Sequence, residues 1–296
     1  MNNKKMNIVL SGSGTLFYVF IGALDKLLKE KKTEDTQLTV TGTSGGSIVA
    51  SLIACGYSME EIKGIALQIN LKELADWSYN PLYRFGLIEG KKLTEVFKKY
   101  LDYTFLEAYK KTGIPLKIIT TNAIDGSPKI YSSFYTPQKK IYEVVRASMS
   151  IPLMFKYVTM DNSIFIDGGL TKNFAIDLFK EPNTYGLRLS SKPNMLDNIK
   201  EIDLDFRNPI HLIKLLNVNT WKDIFNNFKN YLIQIISIIL WNLEQKHIED
   251  VVYPSIINLK TNYNSLSFEH TKEDILQMYR EGYESVNNYL YEQKGK

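Results

Sequence analysis

Ser44 lies in the sequence Gly-Thr-Ser-Gly-Gly, which starts at Gly42, and its setting could make it a nucleophile for acyl transfer. A β-branched run at 38–41 predicts a strand before it, and an apolar run at 47–54 predicts a helix after it. In the pattern G-x-S-x-G the two outer glycines, here Gly42 and Gly46, lack Cβ atoms, so strand and helix can approach closely. The helix start also directs the positive end of its dipole toward the serine. The alternative is a glycine-rich turn whose serine only caps a helix.

Asp167 is the second residue that could take part in this chemistry. It follows a short hydrophobic run at 163–166 and precedes two glycines, which predicts a carboxylate at a strand end. We expect a parallel sheet to bring it to the same edge as Ser44. The ordinary pKa of aspartate is about 3.9, so its strength as a base would depend on its surroundings. The alternative is a plain Asp-Gly turn.

Further segments support an enzyme site. They are the loop Gly12-Ser13-Gly14, the segment 146–155 with its Ala147-Ser148 pair and Ile151-Pro152, and the segment 170–179. Together with the motifs at Ser44 and Asp167, they resemble the patatin-like phospholipases. The resemblance covers most of the chain and is closest from Ile8 to Leu189.

The resemblance implies a role for each matching residue. Ser44 would be the nucleophile and Asp167 its base, with Gly42 and Gly46 forming the nucleophile elbow. The loop of Gly12, Ser13 and Gly14 would form the oxyanion hole. The family pattern for this loop is G-G-G-x-[RK]-G, from which the chain departs at Ser13, Leu16 and Phe17.

Other site chemistries find less support in the sequence. A Ser-His-Asp triad would need one of His211, His247 and His270, and none stands in a distinctive loop, so we interpret all three as structural. No cluster of His, Cys or carboxylates has metal-ligand spacing, and no phosphate-binding pattern is complete. We therefore predict no metal and no cofactor.

Composition favours a globular enzyme. The chain has 296 residues, 44% hydrophobic and 23% charged, and a net charge of +4. Its lysine pairs are scattered, so we expect no nucleic-acid partner, whereas peripheral contact with an anionic membrane stays open. A single cysteine, Cys55, excludes an internal disulfide. The N-terminus leads directly into a strand, so we predict no signal peptide and a cytoplasmic location.

Strand and helix patterns alternate along the chain, which predicts an α/β fold: a three-layer α/β/α sandwich with a largely parallel central sheet, as in patatin-like proteins. We predict one patatin-like domain over 1–296, with a helical excursion at 205–248 and a C-terminal helix at 271–293. Within the excursion, 231–243 is apolar on nearly every face yet too short to span a bilayer. A core helix, a lid, a membrane contact and an oligomer interface are the interpretations left open for it.

These observations lead to a functional hypothesis. We predict a lipid acyl hydrolase of the phospholipase A type, which cleaves carboxylic esters of membrane phospholipids or other acyl lipids through an acyl-Ser44 intermediate with a Ser-Asp dyad. One alternative is a soluble carboxylesterase or an acyltransferase that uses the same serine. A non-catalytic lipid-binding or interaction module is the other.

Overall fold

The computed structural model of the protein describes residues 4–79, 85–189, 255–265 and 267–294, which all belong to one compact unit of the chain. We number the elements along these residues. The strands are β1 (Lys4–Leu10), β2 (Thr36–Thr43), β3 (Gly86–Ile88), β4 (Leu116–Asn122), β5 (Pro128–Ser132), β6 (Leu153–Phe155), β7 (Val158–Met160), β8 (Ser163–Asp167), β9 (Thr184–Leu189) and β10 (Ser255–Leu259). The α-helices are α1 (Phe17–Lys31), α2 (Gly45–Ala54), α3 (Met59–Gln68), α4 (Leu71–Leu74), α5 (Lys91–Leu101), α6 (Phe105–Thr112), α7 (Ile141–Ser148), α8 (Gly169–Lys172) and α9 (Lys272–Lys294).

The central sheet confirms the predicted fold class. Strands β10, β9, β1, β2 and β4 lie side by side in that order, and all of these pairs are parallel. Antiparallel pairs occur where β5 and β8 join β4 and where β7 joins β8. Helices flank this largely parallel sheet, which gives the α/β/α sandwich. A separate two-stranded parallel sheet is formed by β3 and β6.

Strands β2 and β8 meet end to end along one side of β4. Strand β5 occupies the other side of β4 from position 117 to 121. Strand β2 pairs with the first half of β4, up to Thr43 opposite Ile119, and β8 pairs with the second half, from Asp167 opposite Thr120. The last residues of the two strands therefore lie beside successive residues of β4. We expected a parallel sheet to bring Asp167 to the same edge as Ser44, and the direction of its strand was wrong, because β8 runs antiparallel to β4.

Helix α2 is the element that fixes the turn after β2. All ten of its residues are buried, as expected for a run of small and aliphatic side chains packed against the sheet. Its first residue, Gly45, directly follows Ser44 in the chain. A helix held on all sides leaves the preceding turn little freedom, so the position of Ser44 is determined by the core.

Helices α1 and α9 pack with their backbones in close contact. A Cβ atom at Gly22 would overlap the carbonyl oxygen of Tyr279, and one at Gly282 would overlap that of Val19. Only glycine at both positions permits this approach. The contact holds the end of the chain against the helix that follows the loop 12–14.

Several sequence predictions lie outside the described residues. These are the helical excursion at 205–248, its apolar part at 231–243, and the two histidines His211 and His247. They stay predictions. Within the described ranges, no helix combines the length and the apolar character needed to cross a bilayer.

Candidate active site

Ser44 occupies a strained turn between β2 and α2. Its backbone angles are φ 50° and ψ −126°, a region that costs a residue with a side chain about 1–3 kcal/mol. A Cβ atom at Gly42 would overlap the backbone of Gly46 and Ser47, so the close approach of strand and helix requires glycine. The serine stands at the N-cap position, but its hydroxyl makes no capping bond. Its side chain is directed elsewhere, which argues against the simple capping interpretation.

The hydroxyl of Ser44 donates a hydrogen bond to Asp167. The distance from Ser44 Oγ to Asp167 Oδ2 is 2.6 Å, and both side chains are buried. The other carboxylate oxygen of Asp167, Oδ1, accepts the backbone N–H of Gly169 at 2.7 Å. The structure thus joins the two residues whose motifs stand out in the sequence.

The carboxylate of Asp167 is a stronger base than an ordinary aspartate. Burial disfavours its charged form and raises its pKa from 3.8 to about 7. The hydrogen bonds from the Ser44 hydroxyl and the Gly169 N–H act in the opposite direction and moderate the rise. A pKa near neutrality suits a group that must accept and return a proton at physiological pH.

The end of α7 holds both residues of the pair. The backbone N–H of Ser44 donates to the hydroxyl of Ser148 at 2.8 Å, and that hydroxyl donates to the carbonyl of Ile119 at 2.6 Å. The backbone N–H of Asp167 donates to the carbonyl of Ser150 at 2.9 Å. Sequence analysis identified Ala147-Ser148 as a family match without a role, because the role depends on contacts between distant segments.

Arg146 fixes the position of this segment. Its guanidinium donates to the Ser150 hydroxyl at 2.6 Å and to the carbonyls of Glu89 and Lys156, both at 3.1 Å. Burial lowers the pKa of Arg146 to about 10, which leaves it charged at neutral pH. Arg146 therefore connects the loop before α5 to Ser150, whose carbonyl accepts the backbone N–H of Asp167.

The loop of Gly12, Ser13 and Gly14 lies beside the serine. The N–H of Gly12 donates to the carbonyl of Asn173 at 3.0 Å, so it is already engaged. The N–H groups of Ser13 and Gly14 have no acceptor among the described residues. A Cβ atom at Gly45 would overlap the Ser13 hydroxyl and the Gly14 carbonyl, which places the loop against the turn at Ser44. Within the predicted oxyanion loop, Ser13 and Gly14 are thus the residues whose N–H groups could donate to a bound oxyanion.

The chain segment before α9 holds the far side of this loop. The N–H of Thr15 donates to the carbonyl of Ser265 at 2.7 Å, and the Thr15 hydroxyl lies 3.1 Å from His270 Nε2. Burial lowers the pKa of His270. This histidine contacts Thr15, the backbone of Ser267 and the rings of Tyr18 and Tyr263. None of these contacts involves Ser44 or Asp167.

A narrow apolar cavity of about 50 Å³ opens beside Ser44. Apart from Gly14, Thr15 and Ser44, every described residue in its lining is apolar. Among them are Ile48 from α2, Phe97 from α5 and Phe155 from β6. Ser44 therefore faces a space suited to hydrocarbon.

The fold is an α/β sandwich in which a buried serine hydroxyl on a strand-to-helix turn is hydrogen-bonded to a buried carboxylate. Comparison with known proteins gives the family of proteins with this fold. The family profile described as Patatin-like phospholipase matches residues 8–180. The chain belongs to the patatin-like phospholipase family.

The chain is also similar to two viral proteins. Uncharacterized protein R571 of Acanthamoeba polyphaga mimivirus is 31% identical over 182 residues, which cover 59% of this chain and 61% of that protein. Probable lipid hydrolase 463L of Invertebrate iridescent virus 6 is 30% identical over 185 residues, which cover 58% of this chain and 62% of that protein. The chain thus spans about three fifths of the length of these curated relatives.

A solved structure supports the fold. The crystal structure of VipD from Legionella pneumophila matches with a TM-score of 0.61 and 16% sequence identity, covering 97% of this chain and 67% of that chain. At this identity the likeness concerns the fold alone. Within the described ranges, no group of three or more His, Cys, Asp or Glu side chains is arranged to hold a metal ion.

Proposed function

We propose that the protein is a lipid acyl hydrolase of the phospholipase A type, with Ser44 as nucleophile and Asp167 as general base. The observation that carries this proposal is the 2.6 Å hydrogen bond from Ser44 Oγ to Asp167 Oδ2. It joins a hydroxyl on a strained turn to a buried carboxylate beside an apolar cavity. Membership of the patatin-like phospholipase family supports the same assignment.

In the first half of the reaction, Ser44 Oγ attacks the ester carbonyl carbon while its proton moves to Asp167 Oδ2. The tetrahedral oxyanion is stabilised by the N–H groups of Ser13 and Gly14 and by the N-terminus of α2. The carbon–oxygen bond to the alcohol then breaks, and the leaving oxygen takes the proton from Asp167. The products are the free alcohol and an acyl ester of Ser44.

In the second half, a water molecule attacks the acyl ester and gives its proton to Asp167. The bond between the acyl carbon and Ser44 Oγ breaks, and the serine oxygen recovers the proton. The fatty acid leaves, and the Ser44–Asp167 hydrogen bond is restored. One carboxylate serves both halves because its pKa of about 7 lets it hold and release a proton near neutral pH.

The apolar cavity supports a lipid as substrate. Because its described lining offers almost no polar groups, the part of the substrate that lies against it should be an acyl chain. Phospholipids present such a chain through an ester bond, which is the bond that a serine nucleophile opens. We infer that the membrane is the source of the substrate and that the protein contacts it peripherally.

Acyl transfer to an alcohol is the second candidate. It differs from hydrolysis only in that a hydroxyl compound replaces water in the second half of the reaction. A relative of mouse (Mus musculus) named Omega-hydroxyceramide transacylase is 28% identical over 169 residues, covering 56% of this chain and 27% of that protein. Because that name denotes acyl transfer, an alcohol should be tested beside water as the acceptor of the acyl group.

The test is hydrolysis by the purified full chain of phospholipid, galactolipid and short soluble esters, with Ser44→Ala as the control. We expect release of fatty acid from phospholipid by the wild-type chain and none by Ser44→Ala. Adding a long-chain alcohol reports on transfer, since the product is then an ester in place of an acid. Equal fatty acid release by the wild-type chain and Ser44→Ala would refute the proposal.

A further inference from the structure

The hydroxyl of Ser13 is buried and has no hydrogen-bond partner among the described residues. The residue is 5% exposed, and its Oγ atom is closed off from solvent. Ser13 stands at the N-cap of the short 3-10 turn Gly14–Leu16, where a serine often accepts a backbone N–H, but its side chain makes no capping bond. A buried hydroxyl without a partner destabilises a fold, so its presence in this loop calls for an explanation.

Ser13 differs in position from the other buried hydroxyls that lack a partner. Within the described ranges, those hydroxyls belong to Tyr18, Thr41, Ser51 and Tyr131. Each of the four lies within a helix or a strand. Ser13 lies instead in the loop that faces the turn at Ser44, so its unpaired hydroxyl is the one beside the reacting groups.

The Ser13 hydroxyl and the Gly14 nitrogen face the same point beside the nucleophile turn. A Cβ atom built on Gly45, the residue that follows Ser44, would lie 2.3 Å from Ser13 Oγ and 3.3 Å from the Gly14 nitrogen. The carbonyl oxygen of Gly14 faces this point at 2.4 Å. Because glycine leaves the position empty, the loop can lie this close to the turn. Two donors without an acceptor among the described residues thus face the neighbour of the nucleophile.

The loop has few other donors for an oxyanion. The N–H of Gly12 is engaged by the carbonyl of Asn173 at 3.0 Å, which leaves the N–H groups of Ser13 and Gly14. The Ser13 hydroxyl would be a third donor beside these two. It can turn toward an oxyanion without giving up a hydrogen bond to any described residue. A donor held in this way in a closed site is worth more than one that is exposed to water.

The Ser13 hydroxyl is suited to donate a hydrogen bond and not to attack an ester. A serine nucleophile needs a base within hydrogen-bond reach, as Asp167 is for Ser44. Ser13 Oγ has no such neighbour among the described side chains. The loop therefore offers a neutral donor that does not compete with Ser44 for the substrate.

We propose that Ser13 is a catalytic residue whose hydroxyl donates a hydrogen bond to the oxyanion of the tetrahedral intermediate. The proposal rests on the proposed function, since the oxyanion arises when Ser44 attacks an ester. The former carbonyl oxygen, now negative, accepts the Ser13 O–H together with the N–H groups of Ser13 and Gly14. No proton is transferred, and the hydrogen bond weakens when the carbonyl re-forms in acyl-Ser44. The contact stabilises the transition state more than the bound ester, so it acts on kcat.

The test compares Ser13→Ala with the wild-type full chain on a short soluble ester. The φ of Ser13 is negative, at −143°, so alanine fits this backbone as serine does. We expect kcat to fall about a hundredfold and KM to change less than about twofold. Ser13→Gly removes the same hydroxyl and should lower kcat by at least as much. Affinity for an alkyl trifluoromethyl ketone, which forms a tetrahedral adduct with Ser44, should fall by the same factor as kcat/KM.

The melting temperature separates a catalytic role of the hydroxyl from a structural one. Removing a buried hydroxyl that has no partner should leave the melting temperature of Ser13→Ala equal to or above the wild-type value. The matched control is Ser51→Ala, which removes another buried hydroxyl without a described partner, on α2. It should change the melting temperature in the same direction and keep kcat within about twofold.

A Ser13→Ala chain with the wild-type kcat would overturn this inference and leave the mechanism of Ser44 and Asp167 standing. The inference would also fail if kcat and melting temperature fell together, since the hydroxyl would then serve the fold. A wild-type chain that hydrolyses no ester and forms no adduct with the ketone would refute the proposed function and this inference with it.

Discussion

The backbone N–H of Ser44 donates to the hydroxyl of Ser148, which in turn donates to the carbonyl of Ile119. One side chain thus connects the nucleophile turn, the end of α7 and the strand β4. The backbone carbonyl of Ser148 also accepts the N–H of Gly168 at 3.3 Å, and Gly168 directly follows Asp167 in the chain. Ser148 therefore contacts the backbone on both sides of the Ser44–Asp167 pair.

Ser148→Ala should impair the reaction through geometry. Without the hydroxyl, the Ser44 N–H and the Ile119 carbonyl are buried with no partner, at a cost to stability of about 1–3 kcal/mol. We expect the kcat for a soluble ester to fall about ten- to a hundredfold while KM changes little, because the strained turn loses its anchor.

The control for Ser148→Ala is Ser51→Ala, which removes a buried hydroxyl with no hydrogen-bond partner among the described residues. It should retain nearly full activity. The rate at which a fluorophosphonate probe labels Ser44 should fall in Ser148→Ala and not in the control. Equal labelling rates in the two variants would exclude the positioning role.

Ser44→Ala and Asp167→Asn should each remove hydrolysis while the protein stays folded. Because nucleophile and base act as a unit, the double variant should be no less active than either single variant. Esterase assays and thermal melts of the three variants check this, and mass spectrometry should locate the fluorophosphonate label on Ser44. An active Ser44→Ala protein would exclude the mechanism.

Activity should depend on the ionisation of Asp167. The base must be unprotonated to accept the serine proton, and burial raises its pKa to about 7. We expect kcat/KM for an uncharged soluble ester to rise between pH 6 and 8 and to level off above that range. A profile that is flat from pH 5 to 8 would contradict the assignment of Asp167 as the base.

Asp167→Asn should make the protein more stable at alkaline pH. A carboxyl whose pKa is raised from 3.8 to about 7 on folding stabilises the native state when protonated. That contribution is present below pH 4 and is lost as the pH rises through 7. Asparagine has no charge to bury, so its melting temperature should exceed the wild-type value at pH 8, with a smaller difference at pH 5. A larger difference at pH 5 would show that the pKa of Asp167 is not raised.

His270→Ala should retain activity within about tenfold, because a true general base contributes far more than that. Its ring contacts Thr15 and not Ser44 or Asp167. The same outcome is predicted for His211→Ala and His247→Ala, and activity should persist in EDTA. A fall in activity of several orders of magnitude in a folded histidine variant would indicate a Ser-His-Asp triad.

Local pattern alone predicted much of this protein. The β-branched run at 38–41 and the hydrophobic run at 163–166 predicted the strands β2 and β8 to within two residues at each end. The apolar run at 47–54 predicted helix α2, and the helix predicted at 271–293 is α9, Lys272–Lys294. These elements are readable because each depends on the periodicity and side-chain shape of its own residues. The close approach of strand and helix at Ser44 could be predicted for the same reason, because it depends only on the absence of a Cβ atom at Gly42 and Gly46.

The arrangement of the site was decided by tertiary structure. Nothing in the run before Asp167 shows that its strand lies antiparallel to β4 and meets β2 end to end. The positions of Ser148 and Ser150, the engagement of the Gly12 N–H by Asn173 and the raised pKa of Asp167 all depend on neighbours distant in sequence. Such contacts arise when separate elements pack into one core, and burial in that core turns an ordinary aspartate into a base.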